Sequence, residues 1–145
     1  MLIYLDNCCF NRPYDDQSHA KIFLETQAKL GIQENILSGK YLLVWFYILQ
    51  YENDQNSYIN HKHEIRKWKN QASHLVSASA EIIERAKTYQ ITDLHPKDAL
   101  HCSCAVSVKA DYLITTDKQL IKTARKINEL NVVIPLTFIL EETNP

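Results

Sequence analysis

The stretch LIYLDNCCFNRP, Leu2 to Pro13, decides how the rest of the chain reads. Leu2-Ile3-Tyr4-Leu5 is apolar throughout, and a short run without polar alternation predicts a strand buried on both faces, as in a parallel sheet. The run stops at a lone acid, Asp6, and two cysteines, Cys8 and Cys9, follow at once. Asn11-Arg12-Pro13 then breaks the chain.

The same pattern recurs downstream. Asp15 or Asp16 is expected to cap a helix running to about Leu37, with Ile22, Leu24, Ala28, Leu30 and Ile36 among its apolar positions. Ser38-Gly39 ends it, because glycine accepts the left-handed conformation of a C-cap. Tyr41 to Trp45 reads as a second strand. Phe46 to about Gln55 reads as a helix, with Glu52 placed near its start. A solvated helix over His61–Lys69 and another over Ala78–Tyr89 follow, and Ile91–Leu94 reads as a short extended piece. His95-Pro96 signals a helix start, and that helix is expected to reach about Lys109. Asp111–Asp117 is a strand ending on an acid, Lys118–Asn131 a helix, and Val132–Ile134 a last strand. Strands alternating with helices predict an α/β domain around a mainly parallel sheet. With 145 residues and no repeat or linker, residues 1–145 are expected to form one domain.

Composition narrows the function. Hydrophobic residues make up 46% and charged residues 23%, both ordinary for a globular chain. The net charge of −1 supplies no general field for nucleic acid, so any such affinity must come from a local basic patch or a bound cation. The only glycines are Gly31 and Gly39, which excludes glycine-rich phosphate loops. No apolar stretch is long enough to span a membrane, and the start lacks a basic-then-apolar leader. A cytoplasmic protein with reduced cysteines is the expectation.

The acids carry the chemistry. Asp6 and Asp117 each follow an apolar strand, and ligands of open parallel sheets bind beyond the carboxyl ends of the strands. Asp98 sits in the first turn after Pro96, so it belongs to the same rim, and Glu52 adds a fourth acid. Converging carboxylates raise one another's pKa, and a hard divalent cation relieves the conflict. Mg²⁺ or Mn²⁺ suits oxygen ligands, activates a bound water and neutralises charge on a phosphate. Such a rim fits phosphodiester hydrolysis.

On YLDNCCFNRPYDD (Tyr4–Asp16), YE at Tyr51-Glu52, KDALH at Lys97–His101 and YLITTD at Tyr112–Asp117, the chain resembles PIN-domain proteins over essentially its whole length. The resemblance implies a three-layer α/β/α sandwich. It implies a Mg²⁺- or Mn²⁺-dependent endoribonuclease, cytoplasmic, with catalytic acids at Asp6, Glu52, Asp98 and Asp117. Asp6, Asp98 and Asp117 would be the metal ligands. It also implies an RNA substrate, a homodimer, and an antitoxin partner if the chain is the toxin of a toxin–antitoxin pair. One departure is Trp45-Phe46-Tyr47, where such proteins often place a serine or threonine upstream of the Glu. A PIN-like binding protein of weak activity, or a receiver-type phosphoacceptor, are the alternatives.

Other residues are assigned lesser roles. Asn7, Arg12, Thr115, Thr116 and Lys118 are candidate substrate contacts, Arg12 and Lys118 as phosphate contacts. Lys62, Arg66, Lys67 and Lys69 form a basic run that is more often a solvated helix face than an RNA track. Cys8, Cys9, Cys102 and Cys104 lack the knuckle spacing of a zinc site and read as small core residues. His101, one turn after Asp98, reads as a solvated ion-pair partner, with a supporting role near a metal as the lesser alternative.

Overall fold

Strand β1 (Leu2–Leu5) lies at the centre of a five-stranded sheet whose order is β3-β2-β1-β4-β5. Its neighbours are β2 (Leu42–Phe46) and β4 (Tyr112–Ile114), with β3 (Ala72–Val76) and β5 (Val132–Val133) at the edges. Every pairing is parallel, including Ile3 with Leu43 on one side and Ile3 with Tyr112 on the other. This computed structural model describes residues 1–143. Ile3, Tyr4 and Leu5 have no exposed surface, as the unbroken apolar run predicted.

Among the described residues, eight α-helices cover the sheet: α1 (Asn7–Asn11), α2 (Ala20–Leu37), α3 (Tyr47–Asp54), α4 (Ile59–Arg66), α5 (Ala80–Gln90), α6 (Pro96–Ser107), α7 (Lys118–Ala124) and α8 (Pro135–Thr143). Helix α2 packs against α8, and α5 against α6. The result is a three-layer α/β/α sandwich. Phe138 of α8 is fully buried between the rings of Tyr41 and Tyr112, at centroid distances of 5.2 and 5.0 Å, both edge to face. The strand order is not the 2-1-3-4-5 order of receiver-like folds, so the phosphoacceptor alternative finds no support in the topology.

Several local expectations are corrected. Helix α2 starts at Ala20, because Asp16 instead accepts from the Ser18 backbone N–H at 3.0 Å and closes a tight turn. Ile91–Leu94 is a turn, with Asp93 at φ 72°. Such a left-handed residue ends extended geometry. Helix α3 carries Glu52 near its end, not its start. Helix α6 stops at Ser107 and α7 at Ala124. The elements α1, β3 and α8 had no counterpart in the sequence reading. Gly39 does take the expected left-handed conformation, φ 85°.

Helix α2 buries the expected Ala28 and Ile36 but departs from its apolar pattern elsewhere. Leu24 and Leu30 are exposed, whereas Glu25, Lys29 and Gln33 are buried. The reason is a set of ion pairs. Arg12 Nε donates to Glu25 Oε2 at 2.9 Å, Lys21 approaches Glu25 Oε1 at 3.4 Å, and Arg12 Nη1 donates to Asp15 at 3.2 Å. A buried carboxylate is tolerated only when paired, so Glu25 and Arg12 fix which face of α2 turns inward.

Candidate functional site

Viewed from β1, the chain moves outward in opposite directions: β2 and β3 lie on one side, β4 and β5 on the other. The crevice at such a switch point, beyond the carboxyl ends of the two strands, is where ligands of open α/β sheets bind. Asp6 follows β1 and Asp117 lies just beyond β4, so both stand at that switch. A hollow of about 350 Å³ opens there, and Asp6, Glu52, Asp98 and Asp117 all line it, with Cys8 and His101.

Each acid is oriented by its own element. Asp6 is the N-cap of α1, and its Oδ1 accepts from the Asn7 N–H at 2.8 Å. Its Oδ2 accepts from the Thr115 hydroxyl at 2.8 Å. The same hydroxyl oxygen accepts from the Asp117 N–H at 3.1 Å, so one threonine at the end of β4 ties two rim acids together. Asp117 in turn caps α7, accepting from the N–H groups of Gln119 and Leu120 at 2.9 and 3.2 Å. Asp98 opens α6 behind Pro96. Burial, then the charges of Asp117 and Asp6, hold its carboxyl above the ordinary aspartate range. That crowding is the sign of a cluster with more negative charge than its surroundings neutralise.

Glu52 is held in a different way. His101 Nε2 donates to Glu52 Oε1 at 2.5 Å, and His101 Nδ1 is bonded to the Tyr4 hydroxyl at 2.5 Å. A carboxylate only accepts, so Nε2 carries a hydrogen. Burial alone would disfavour the imidazolium. The hydrogen bond to Glu52 and the charges of Asp6 and Glu52 outweigh it and raise the His101 pKa. A histidine from α6 thus orients Glu52. Asp6 Oδ1 lies 3.8 Å from His101 Nε2. One ligand atom from each of Asp6, Glu52 and His101 lies within 4.8 Å of the others.

The chain Tyr4–His101–Glu52 escaped sequence reasoning. His101 is 1% exposed and buried in contact with β1 and α3, which corrects its reading as a solvated partner of Asp98. Its partners lie 97 and 49 residues away, so only the fold reveals them. Tyr4→Phe should leave Nδ1 buried without a partner and lower stability by about 1–2 kcal/mol in urea melts. An unchanged midpoint would mean the hydroxyl only fills space.

The remaining assignments divide. Cys9, Cys102 and Cys104 are buried core residues. Cys8 is not one of them: half-buried on the rim, its Sγ donates to Asp6 Oδ2 at 3.4 Å and accepts from the Thr116 N–H at 3.3 Å. Asn7 lines the hollow. Thr115 and Thr116 are buried, and Lys118 is exposed at the start of α7. Arg12, expected near a phosphate, is engaged with Glu25 and Asp15 instead.

Fold and site together define a three-layer α/β/α protein with an acidic crevice at the switch point of its sheet. No protein-family model matches the chain, and neither does any curated protein sequence. Among solved structures it is similar to a chain in the crystal structure of VapBC2 from Rickettsia felis bound to a DNA fragment from their promoter. The TM-score is 0.57 at 12% identity, and the match covers 91% of this chain and 97% of that one. At that identity the likeness is one of fold. Among the described residues, no helix is long and apolar enough to cross a membrane.

Proposed function

We propose that this chain is a PIN-like, divalent-metal-dependent endoribonuclease formed as one domain over residues 1–145. The observation that carries this reading is the convergence of Asp6, Glu52, Asp98 and Asp117 on one hollow at the sheet's switch point. Carboxylate oxygens suit such a cation, and Asp98 and Asp117 line the same hollow as Asp6, although among the described residues the compact ligand group is Asp6, Glu52 and His101. Asp6, Asp98 and Asp117 are the proposed ligands of Mg²⁺ or Mn²⁺, and Glu52 completes the acidic set. When bound, such an ion neutralises charge building on a phosphate and activates a water.

The chain's own residues do the positioning. Thr115 holds Asp6 and, through the Asp117 N–H, keeps the loop after β4 in register with it. His101 fixes Glu52 beside Asp6, and Tyr4 fixes His101 from the core. Preorganised groups of this kind lower the cost of reaching the productive geometry. The test is cleavage of mixed RNA substrates with Mg²⁺ or Mn²⁺. Full activity in EDTA would sink the metal mechanism. Negligible Mn²⁺ affinity by calorimetry would favour a PIN-like binding protein instead.

A protein partner belongs to the same proposal. Phe23, Leu24, Leu30 and Leu37 all lie exposed on α2. Solvated apolar side chains gathered on one helix mark an association surface. A homodimer, or an antitoxin if the chain is a toxin, would cover it. Leu30→Asp should convert a dimer to a monomer in light-scattering chromatography; a variant with unchanged mass would place the dimer contact elsewhere.

A further inference from the structure

Beside the acidic hollow lies a larger one of about 600 Å³, and the two share Asn7, Asn11, Asp15 and Glu52. Its far wall is aromatic. Tyr14 stacks on His61 with centroids 3.8 Å apart and planes 10° from parallel, and Tyr58 leans on His61 at 5.0 Å and 33°. Tyr14 and Tyr58 remain 42% and 66% exposed. The three rings come from different parts of the chain: the turn before α2, the residue before α4, and α4 itself.

The rest of the lining is polar and ordered. Asn56 Nδ2 donates to Asn11 Oδ1 at 3.1 Å, and Asn56 Oδ1 accepts from the Tyr58 N–H at 3.0 Å, which ties the aromatic loop to α1. At the shared wall, the Asn7 amide oxygen is buried without a protein partner. Among the described residues, neither lysine nor arginine lines this hollow, and Asp15 and Glu52 do. A phosphate would be repelled there. A flat, uncharged group would be held by ring stacking, with the polar Asn11, Gln55, Asn56 and Ser57 around it.

We infer that this compartment is a binding site for an unpaired nucleobase of single-stranded RNA, flanking the phosphate held at the acidic hollow. The second half of that statement rests on the nuclease reading above. Stacking on aromatic rings is how proteins hold unstacked bases, and a base inside a duplex is not free to enter.

The test is binding of a short single-stranded RNA, read by fluorescence anisotropy with Mn²⁺ present, in an Asp98→Asn background that cannot consume the probe. Tyr14→Ala and Tyr58→Ala should each weaken binding by roughly 5- to 150-fold, and Tyr14→Phe should retain it. Scanning the RNA with single abasic nucleotides should reveal one position whose loss weakens binding to the parent, with little further effect in Tyr14→Ala. Both tyrosines are exposed, so circular dichroism spectra should show the variants folded, with Tyr14→Ala losing only the small stability of its stack on His61. Unchanged affinity in both alanine variants, equally tight binding of duplex RNA, or no binding at all by the parent would overturn the inference. Ring-dependent binding in a protein that cleaves no RNA would leave the base site standing and sink the nuclease reading alone.

Discussion

Asp6→Asn should abolish RNA cleavage while leaving the fold intact. The expected loss is on the order of a thousandfold or more, because a metal centre supplies several kcal/mol of charge stabilisation and each 1.36 kcal/mol is a factor of ten. The variant keeps the shape of the site. Asparagine is as good an N-cap as aspartate, so the bond from the Asn7 N–H survives. The Thr115 hydroxyl, now a donor to Asp6, can turn and accept from the new amide. Removing one charge from a crowded rim also relieves repulsion on Asp98, whose carboxyl is held up partly by Asp6. The same change withdraws a charge that favours the His101 imidazolium, so stability should change little while activity is lost. The measurements are a gel-based cleavage assay with Mn²⁺ and a thermal melt of the metal-free protein. A variant that is inactive and also much less stable would assign Asp6 a structural role; one that still cleaves would remove it from the catalytic set.

Lys29→Met should stabilise the protein at neutral pH by roughly 2–3 kcal/mol. Lys29 is 4% exposed, with its ammonium 5.6 Å from the centroid of the Phe10 ring. Burial pushes its pKa down from 10.5 to about 8. At about 1.36 kcal/mol per pKa unit this is a cost of roughly 3 kcal/mol, which the cation–π contact trims. The sign follows from proton uptake. Between about pH 8 and 10.5 the unfolded chain binds the proton that the folded chain releases, so wild-type stability rises with pH across that window. Below it the full cost remains. The advantage of Lys29→Met should accordingly be constant below pH 8 and vanish towards pH 10.5. Urea titrations at pH 7, 9 and 10.5 check this, and a gain that does not depend on pH would show that packing, not charge burial, separates the two side chains.

What was legible in the sequence, and what was not, divides along physical lines. The central strands β1, β2 and β4 are buried on both faces, so their apolar runs are unambiguous. Strand β3 is an edge strand, and Ser73, His74 and Leu75 are exposed on it, so it lacks any such run. Helix α2 was only partly oriented by its apolar residues: Ala28 and Ile36 are buried, but the pairing of Glu25 with Arg12 and Lys21 turns Leu24 and Leu30 outward. Asp6, Asp98 and Asp117 stood out because each follows a strand or opens a helix, positions that local sequence announces. The support of Glu52 did not, because Tyr4, Glu52 and His101 meet only after the sheet has assembled. Cys8 was grouped with the core cysteines for the same reason: its rim partners include Thr115 and Thr116, more than a hundred residues away.

The bond from Thr115 to Asp6 spans 109 residues. Contacts of such long sequence separation are late events in folding, and a chain made on the ribosome folds from its N-terminal end. Strands β1 and β2 are available early, but β4 and the Thr115 hydroxyl emerge only after the helices and the edge strand that lie between them in the chain. Until then Asp6 has its local partner, the Asn7 N–H, but not Thr115. If the hollow cleaves RNA, a nascent chain surrounded by ribosomal and messenger RNA stays harmless until β4 has emerged and paired with β1.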